Sequence, residues 1–285
     1  MNLKETILDA KARKVAIGHF NVSNLEGVHA IKEAVQETGY PVIIGVSEGE
    51  GEFFGLRELA AIVGEYQSRG LPIFTNADHS YSVERATQAV DAGFDAVIFD
   101  GAEMSHEENI LKTKQVVEYA KAKNQNCLVE AEIGFIGKSS NILDAIPEGV
   151  GTEEFLTKPE DAKAFADATG IDLLAPAVGN LHGMLKNMPN PRLDIPRIQA
   201  ISELTGLPLV LHGGSGIIEE DFKAAIRAGI VIVHVNTELR VAFKNGLVKA
   251  LSEFKDQVAP YKFLKPAQEE MKKVIIEKLT IFNNA

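Results

Sequence analysis

The chain has 285 residues, 45% of them hydrophobic, enough to bury the core of one large α/β domain. With 40 acidic against 29 basic residues, a formal net charge of −11 and no Lys/Arg block or interleaved basic and aromatic stretch, it is a poor partner for nucleic acid. An anionic substrate would need metal charge, a local positive patch or converging backbone N–H groups to offset that background.

The first segment, MNLKETILDAKARK, predicts an amphipathic helix rather than a signal peptide, and no apolar run approaches the ~18 residues that span a bilayer. Cys127 is the only cysteine, so the chain can form no internal disulfide and has no cysteine pair for a structural zinc site, as expected of a cytoplasmic protein.

Eight short runs rich in Val, Ile and Phe follow in chain order: KVAIGHFNV, PVIIGVS, PIFTNADH, AVIFDG, CLVEAEIG, LLAPAVG, PLVLHGG and IVIVHVN. Nearly continuous hydrophobicity marks strands buried on both faces, and a helix-period segment after each run is the pattern of parallel βαβ units. The expected fold is α/β, a closed (β/α)8 TIM barrel forming a single domain over residues 1–285, with extra terminal helices. After the third run, Ser82 or Ser80 starts a helix over VERATQAVDA that stops at Gly93; after the fifth, Pro159 opens one that stops at Gly170. From Ile136 to Thr157 the chain shows Gly, Ser, Asn and Pro with no sustained period, which predicts a lid over the site or a passive surface loop. Residues Lys265 to Ile281 have helical spacing beyond the eighth unit.

His79, His182 and His212 each sit where an apolar run breaks into small or turn-forming residues. Such breaks mark the C-terminal ends of barrel strands, which converge on one face, so the three imidazoles can meet around one ion. Three protein ligands with an open position is the pattern of a catalytic zinc site. Asp78, one residue before His79, can share the site only if the backbone turns there; it would then be a general acid/base, or else it caps the following helix or orients His79. HGGSG at 212 to 216 and NTE at 236 to 238 end the last two strands, where barrel enzymes often cradle phosphate, and HGMLK adds a glycine and Lys186.

NADHSYSVE, VEAEIG, PAVGNLHGMLK, PLVLHGGSG and VNTELR, in this order and at these separations, resemble the class II ketose-bisphosphate aldolases, the zinc-dependent family of fructose-bisphosphate and tagatose-bisphosphate aldolase, over nearly the whole chain. The resemblance implies a lyase that reversibly cleaves a ketose bisphosphate to dihydroxyacetone phosphate and glyceraldehyde 3-phosphate. It implies Zn2+ on His79, His182 and His212, an alternative metal position at Asp100 and Glu132, and Asp78 as the acid/base at the C4 hydroxyl. It places Asn21, Ser47, Gly183, Lys186, Gly213, Ser215, Asn236 and Thr237 against the substrate and Arg240 near the distal end of the sugar phosphate. It also implies a monovalent cation (Na+ or K+) and a homodimer or homotetramer.

Three positions depart from the family pattern. His234 stands where asparagine is usual. The lid glutamate that exchanges the C3 proton has no clear counterpart: counting from EIG lands near Ser140, and Asp144, Glu148, Glu153 and Glu154 are the candidates. PYKFLKP puts Tyr261 and Lys262 where an arginine is common. His29 and His106 are expected to be structural or exposed, whereas His19 either faces the site or packs at a strand end. The competing functions are an aldolase for another ketose 1-phosphate, a metal-dependent hydrolase, and a barrel kept as a metal- and phosphate-binding partner subunit.

Overall fold

The computed structural model describes residues 2–137 and 140–285. Each of the eight apolar runs forms a strand: β1 (Ile17–Asn21), β2 (Val42–Val46), β3 (Ile73–Ser80), β4 (Ala96–Phe99), β5 (Leu128–Ile133), β7 (Leu173–Pro176), β9 (Leu209–Leu211) and β10 (Ile230–Val235). They pair in parallel in the order β1-β10-β9-β7-β5-β4-β3-β2, and β1 closes on β10 with His19 opposite His234. Two further strands of two residues each, β6 (Ile142–Leu143) and β8 (Met184–Leu185), pair with one another outside the barrel.

The helices follow the sequence signals closely. Helix α1 (Leu3–Arg13) starts on a capping box in which Asn2 and Glu5 satisfy each other's backbone N–H groups. Helix α2 (Leu25–Thr38) runs from the Asn24 cap to Gly39, and α3 (Glu48–Phe54) and α4 (Leu56–Ser68) fill the connection after β2. Helix α5 (Val83–Ala92) is capped by Ser82, not Ser80, and ends at Gly93 with φ +90, a left-handed position that glycine takes without a Cβ penalty. The remainder are α6 (His106–Lys123), α7 (Pro159–Thr169), α8 (Ile195–Thr205), α9 (Glu219–Ala228), α10 (Thr237–Glu253) and α11 (Pro260–Asn283). The C-terminal helix starts five residues before the expected Lys265 and packs on α10 and α2. None of these helices is long and apolar enough to cross a membrane.

Two apolar clusters hold the fold. The larger lies between strands and helices and includes Phe20, Phe94, Phe99, Phe165 and Phe222, all fully buried. The smaller joins Ile17, Ile43, Phe74, Leu128, Leu173 and Val210, at the beginnings of their strands, to Leu3, Ile7 and Ala10 of α1, so the first helix plugs the lower end of the barrel. Side chains two apart on a strand share a face. Climbing inward from this apolar layer therefore gives Ile17, His19, Asn21 on β1 and Leu128, Glu130, Glu132 on β5: apolar below, ionisable above.

Candidate active site

The upper end of the barrel gathers polar residues because the inward positions of several strands become polar toward the C-terminal end: His19 and Asn21 on β1, Asn76 and Asp78 on β3, Glu130 and Glu132 on β5, and His234 on β10. The decisive local feature is in β3. Its register against β4 runs Asn76 to Ala96 and Ala77 to Val97, then jumps to Ser80 opposite Phe99, leaving one extra residue. His79 takes a left-handed conformation at this bulge, with φ +53. Such a position costs a non-glycine residue about 1–3 kcal/mol, and here it brings Asp78 and His79 to the same pocket, the turn that their adjacency required.

His79, His182 and His212 offer ligand atoms all within 4.8 Å of one another, as do His79, Asp100 and Glu132. Each imidazole is oriented from behind. His182 Nδ1 donates to the Gly137 carbonyl at 2.8 Å, His79 Nδ1 lies 2.8 Å from Asp100 Oδ2, and His212 Nε2 lies 2.7 Å from Glu130 Oε1. The nitrogens left over face inward, with His79 Nε2 and His212 Nδ1 only 3.2 Å apart. Two lone pairs at that distance repel unless a cation sits between them, whether a proton or a metal.

The charges point the same way. Burial alone would lower the pKa of His79, but Asp78, Asp100 and Glu132 outweigh it and hold the ring up to about 10. Burial and the charge of His79 push His182 and His212 down to about 3, so both are neutral donors. Burial would raise Asp78 too, yet the adjoining His79 and His234 hold it well below the usual carboxylate range. Glu130 and Glu132 are pushed well above that range, chiefly by burial and the neighbouring aspartates. Four carboxyl groups, two of them held toward the protonated form, thus crowd three imidazoles of which only one is held charged. This donor set fits a divalent cation.

Asn21, Asp78, His79, Ser140, His182, Gly183, Gly213, Ser215, His234, Asn236 and Thr237 line one pocket at the barrel mouth. Its glycine-rich side ends at the N-terminus of α10, where Asn236 is the cap residue and Ser215 Oγ accepts from Glu238 N. Unpaired helix N–H groups and the macrodipole make this the anion-attracting side. A Cβ on Gly213 would fall 2.1 Å from the Leu181 carbonyl oxygen, so only glycine lets these two loops meet.

Two residues before Asn236, His234 occupies the asparagine position and lines the pocket, its Nδ1 3.4 Å from Asp78 Oδ1 and its buried Nε2 without a hydrogen-bond partner. His19 stands directly behind it, fully buried, with ring centroids 3.4 Å apart and planes 3° from parallel; its pKa is lowered to about 4 by burial. It packs the pocket wall without lining the pocket. Gly45 leaves the room: a Cβ there would lie 2.1 Å from His19 Cε1. His29 lies within α2 and His106 begins α6 behind the Ser105 cap, both away from the site. Cys127 is buried, its thiol pushed up to about 12 by that burial, and has no part in the pocket.

Several expected residues are not brought to the pocket. Ser47 caps α3 and donates its hydroxyl to Glu50 Oε2 at 2.9 Å. Lys186 is 61% exposed and lies 3.9 Å from Asp144. Arg240 pairs with Glu50 at 2.6 Å. Of the lid segment, Lys138 and Ser139 lie outside the described residues; its two ends are tied down by Phe135 N to Phe155 O and by His182 N to Ile136 O. Ser140 lines the pocket, but Asp144, Glu148, Glu153 and Glu154 do not: all four are exposed, and Glu153 pairs with Arg197. Tyr261 is 73% exposed at the start of α11, with the Lys262 ammonium 5.9 Å from its ring centre. Sequence reasoning missed Glu50, which its capping-box spacing from Ser47 could have placed at the start of α3 though not beside Asn21, and Glu130, which period-two spacing from Glu132 could have placed on the same inward face.

The family model for class II fructose-bisphosphate aldolase matches residues 1–285. The chain is 36% identical over 289 aligned positions to fructose-bisphosphate aldolases of Staphylococcus aureus (strain Mu50) and Geobacillus stearothermophilus, covering all of this chain and 98% and 97% of theirs. Among solved structures it is similar to the YdjI aldolase of Escherichia coli K12, with a TM-score of 0.81, 29% identity, and coverage of 99% of this chain and 96% of that one. At 21% identity, a fructose-bisphosphate aldolase of Campylobacter jejuni shares the fold, with a TM-score of 0.82 over 99% of this chain and 94% of its own. The sequence match across the full length and the closed barrel agree: the chain belongs to the class II fructose-bisphosphate aldolase family.

Proposed function

We propose that this lyase uses Zn2+ on His79, His182 and His212 to cleave a ketose phosphorylated at C1, reversibly, into dihydroxyacetone phosphate and an aldehyde. The observation that carries the reading is the facing pair of imidazole nitrogens, 3.2 Å apart inside a ring of carboxylates, one pocket's width from a helix N-terminus. Bound there, the cation would supply Lewis-acid stabilisation of the negative charge that develops on the substrate oxygens. His79, Asp100 and Glu132 form a second donor group that shares one imidazole with the first and would hold the cation in an alternative position.

The remaining steps belong to the chain's own groups. Gly183, Gly213, Ser215, Asn236 and Thr237 hold the phosphate by backbone N–H and side-chain donors at the start of α10. Asp78 accepts from Asn21 Nδ2 through Oδ2 at 2.9 Å, which leaves Oδ1, buried and without a hydrogen-bond partner, to take the C4 hydroxyl proton as the C3–C4 bond breaks. In the condensation direction the same oxygen returns it. A partner subunit would have no use for a desolvated, ionised Asp78.

The test pairs metal analysis with a coupled assay for dihydroxyacetone phosphate, using fructose and tagatose bisphosphates and their 1-phosphates. Wild-type protein should release dihydroxyacetone phosphate only when loaded with metal, and His182→Ala and His212→Ala should lose metal and activity together while keeping the helical content of the barrel. Full activity in metal-free protein would end the reading.

A further inference from the structure

Glu50 is 9% exposed, yet its carboxylate is fully engaged. Oε2 accepts from Asn21 Nδ2, Ser47 N and Ser47 Oγ, each at 2.9 Å, and Oε1 accepts from Arg240 Nη2 at 2.6 Å. The same Asn21 nitrogen also donates to Asp78 Oδ2 at 2.9 Å. A continuous chain, Arg240 to Glu50 to Asn21 to Asp78, therefore runs from the pocket's rim to its proposed base. Arg240 Nη1 reaches the Ser140 carbonyl at 3.4 Å, and Asn21, Asp78 and Ser140 all line the pocket, so this chain borders it beside Asp78.

A substrate whose phosphate lies against Gly183, Gly213 and Ser215 and whose C4 hydroxyl faces Asp78 has its remaining carbons beside Asn21, which Glu50 and Asp78 share. The cation waiting there, Arg240, is already matched by Glu50. Lys186 pairs with Asp144 and Lys262 lies over Tyr261, and neither lines the pocket. A second phosphate would meet a guanidinium whose charge Glu50 already neutralises and would lie beside that largely buried carboxylate, or would have to pull Arg240 off it. Neutral hydroxyl groups meet no such penalty, because they can donate to the carboxylates and accept from the guanidinium N–H groups that Glu50 leaves free.

Resting on the aldolase reading above, we propose that Glu50 is a specificity-determining residue which makes the site select ketose 1-phosphates with an uncharged polyol end, so that the aldehyde product carries no phosphate.

The test fixes dihydroxyacetone phosphate as the donor and varies the acceptor: D-glyceraldehyde 3-phosphate against D- and L-glyceraldehyde, with zinc-loaded protein and donor consumption as the readout. Wild type should favour an unphosphorylated acceptor at least tenfold in kcat/KM. Glu50→Gln, which removes the charge and frees Arg240, should shift that ratio at least fivefold toward glyceraldehyde 3-phosphate. A wild-type preference for the phosphorylated acceptor, or a ratio that Glu50→Gln leaves unchanged, overturns the inference while the aldolase reading stands. No donor consumption with any acceptor overturns both. If Glu50→Gln does not fold, the wild-type ratio decides alone.

Discussion

Metal binding at the three imidazoles should be proton-coupled, because the cation must displace the proton that His79 holds. Burial would lower that pKa, but Asp78, Asp100 and Glu132 raise it to about 10, whereas His182 and His212, at about 3, bring no competing proton. At pH 7 the His79 proton sits about three units below its pKa, so the apparent affinity should lie about a thousandfold, or about 4 kcal/mol, under its limiting value. Affinity should rise at least tenfold per unit between pH 6 and 9, and Glu130 and Glu132, also raised, can only steepen the slope. The same shift has a consequence for the metal-free protein: the stabilisation from charged His79 is complete below the unfolded value of about 6.5 and is lost as pH climbs through about 10. Titration calorimetry in two buffers of different ionisation enthalpy counts the protons directly, and at least one should be released per zinc at pH 7. Release of fewer than half a proton, with an affinity flat between pH 6 and 9, would refute the charged His79 and with it the carboxylate ring as the origin of metal affinity.

Asp78→Asn should keep zinc yet lower turnover by about 10²–10⁴-fold, measured as dihydroxyacetone phosphate release; loss of metal instead would make Asp78 an orienting residue. Glu130→Gln should weaken metal about 10–100-fold in chelator competition, since Glu130 Oε1 fixes the His212 ring at 2.7 Å; unchanged affinity would show that the ring is held by packing alone. Gly45→Ala should destabilise the barrel by about 1–3 kcal/mol in denaturant titration, because the new methyl would meet His19 Cε1 at 2.1 Å; His19→Ala in the same background should recover part of the loss, and strict additivity of the two would contradict the contact.

The barrel itself was legible because parallel strands covered on both faces need continuous apolar runs, and those runs, with their capping residues, are local information. So were the three imidazoles, since a histidine at the end of such a run can only rise to the barrel mouth. The need for a turn between Asp78 and His79 could be stated from their adjacency, but that a bulge with His79 at φ +53 supplies it emerged only from the pairing of β3 with β4. Other features depend on distances that closure of the barrel sets. Glu50 and Arg240 lie 190 residues apart, and their pairing engages a cation that the family resemblance had placed near the distal end of the sugar phosphate. His19 and His234 stack because β1 and β10 meet in register where the barrel closes. Lys186 and the lid carboxylates went the other way, since a residue's type and its distance from a motif do not say which way a loop side chain points. Strand and helix periods report the burial of each element's own face, whereas partners across the barrel mouth are chosen by register and closure, which only the tertiary structure decided.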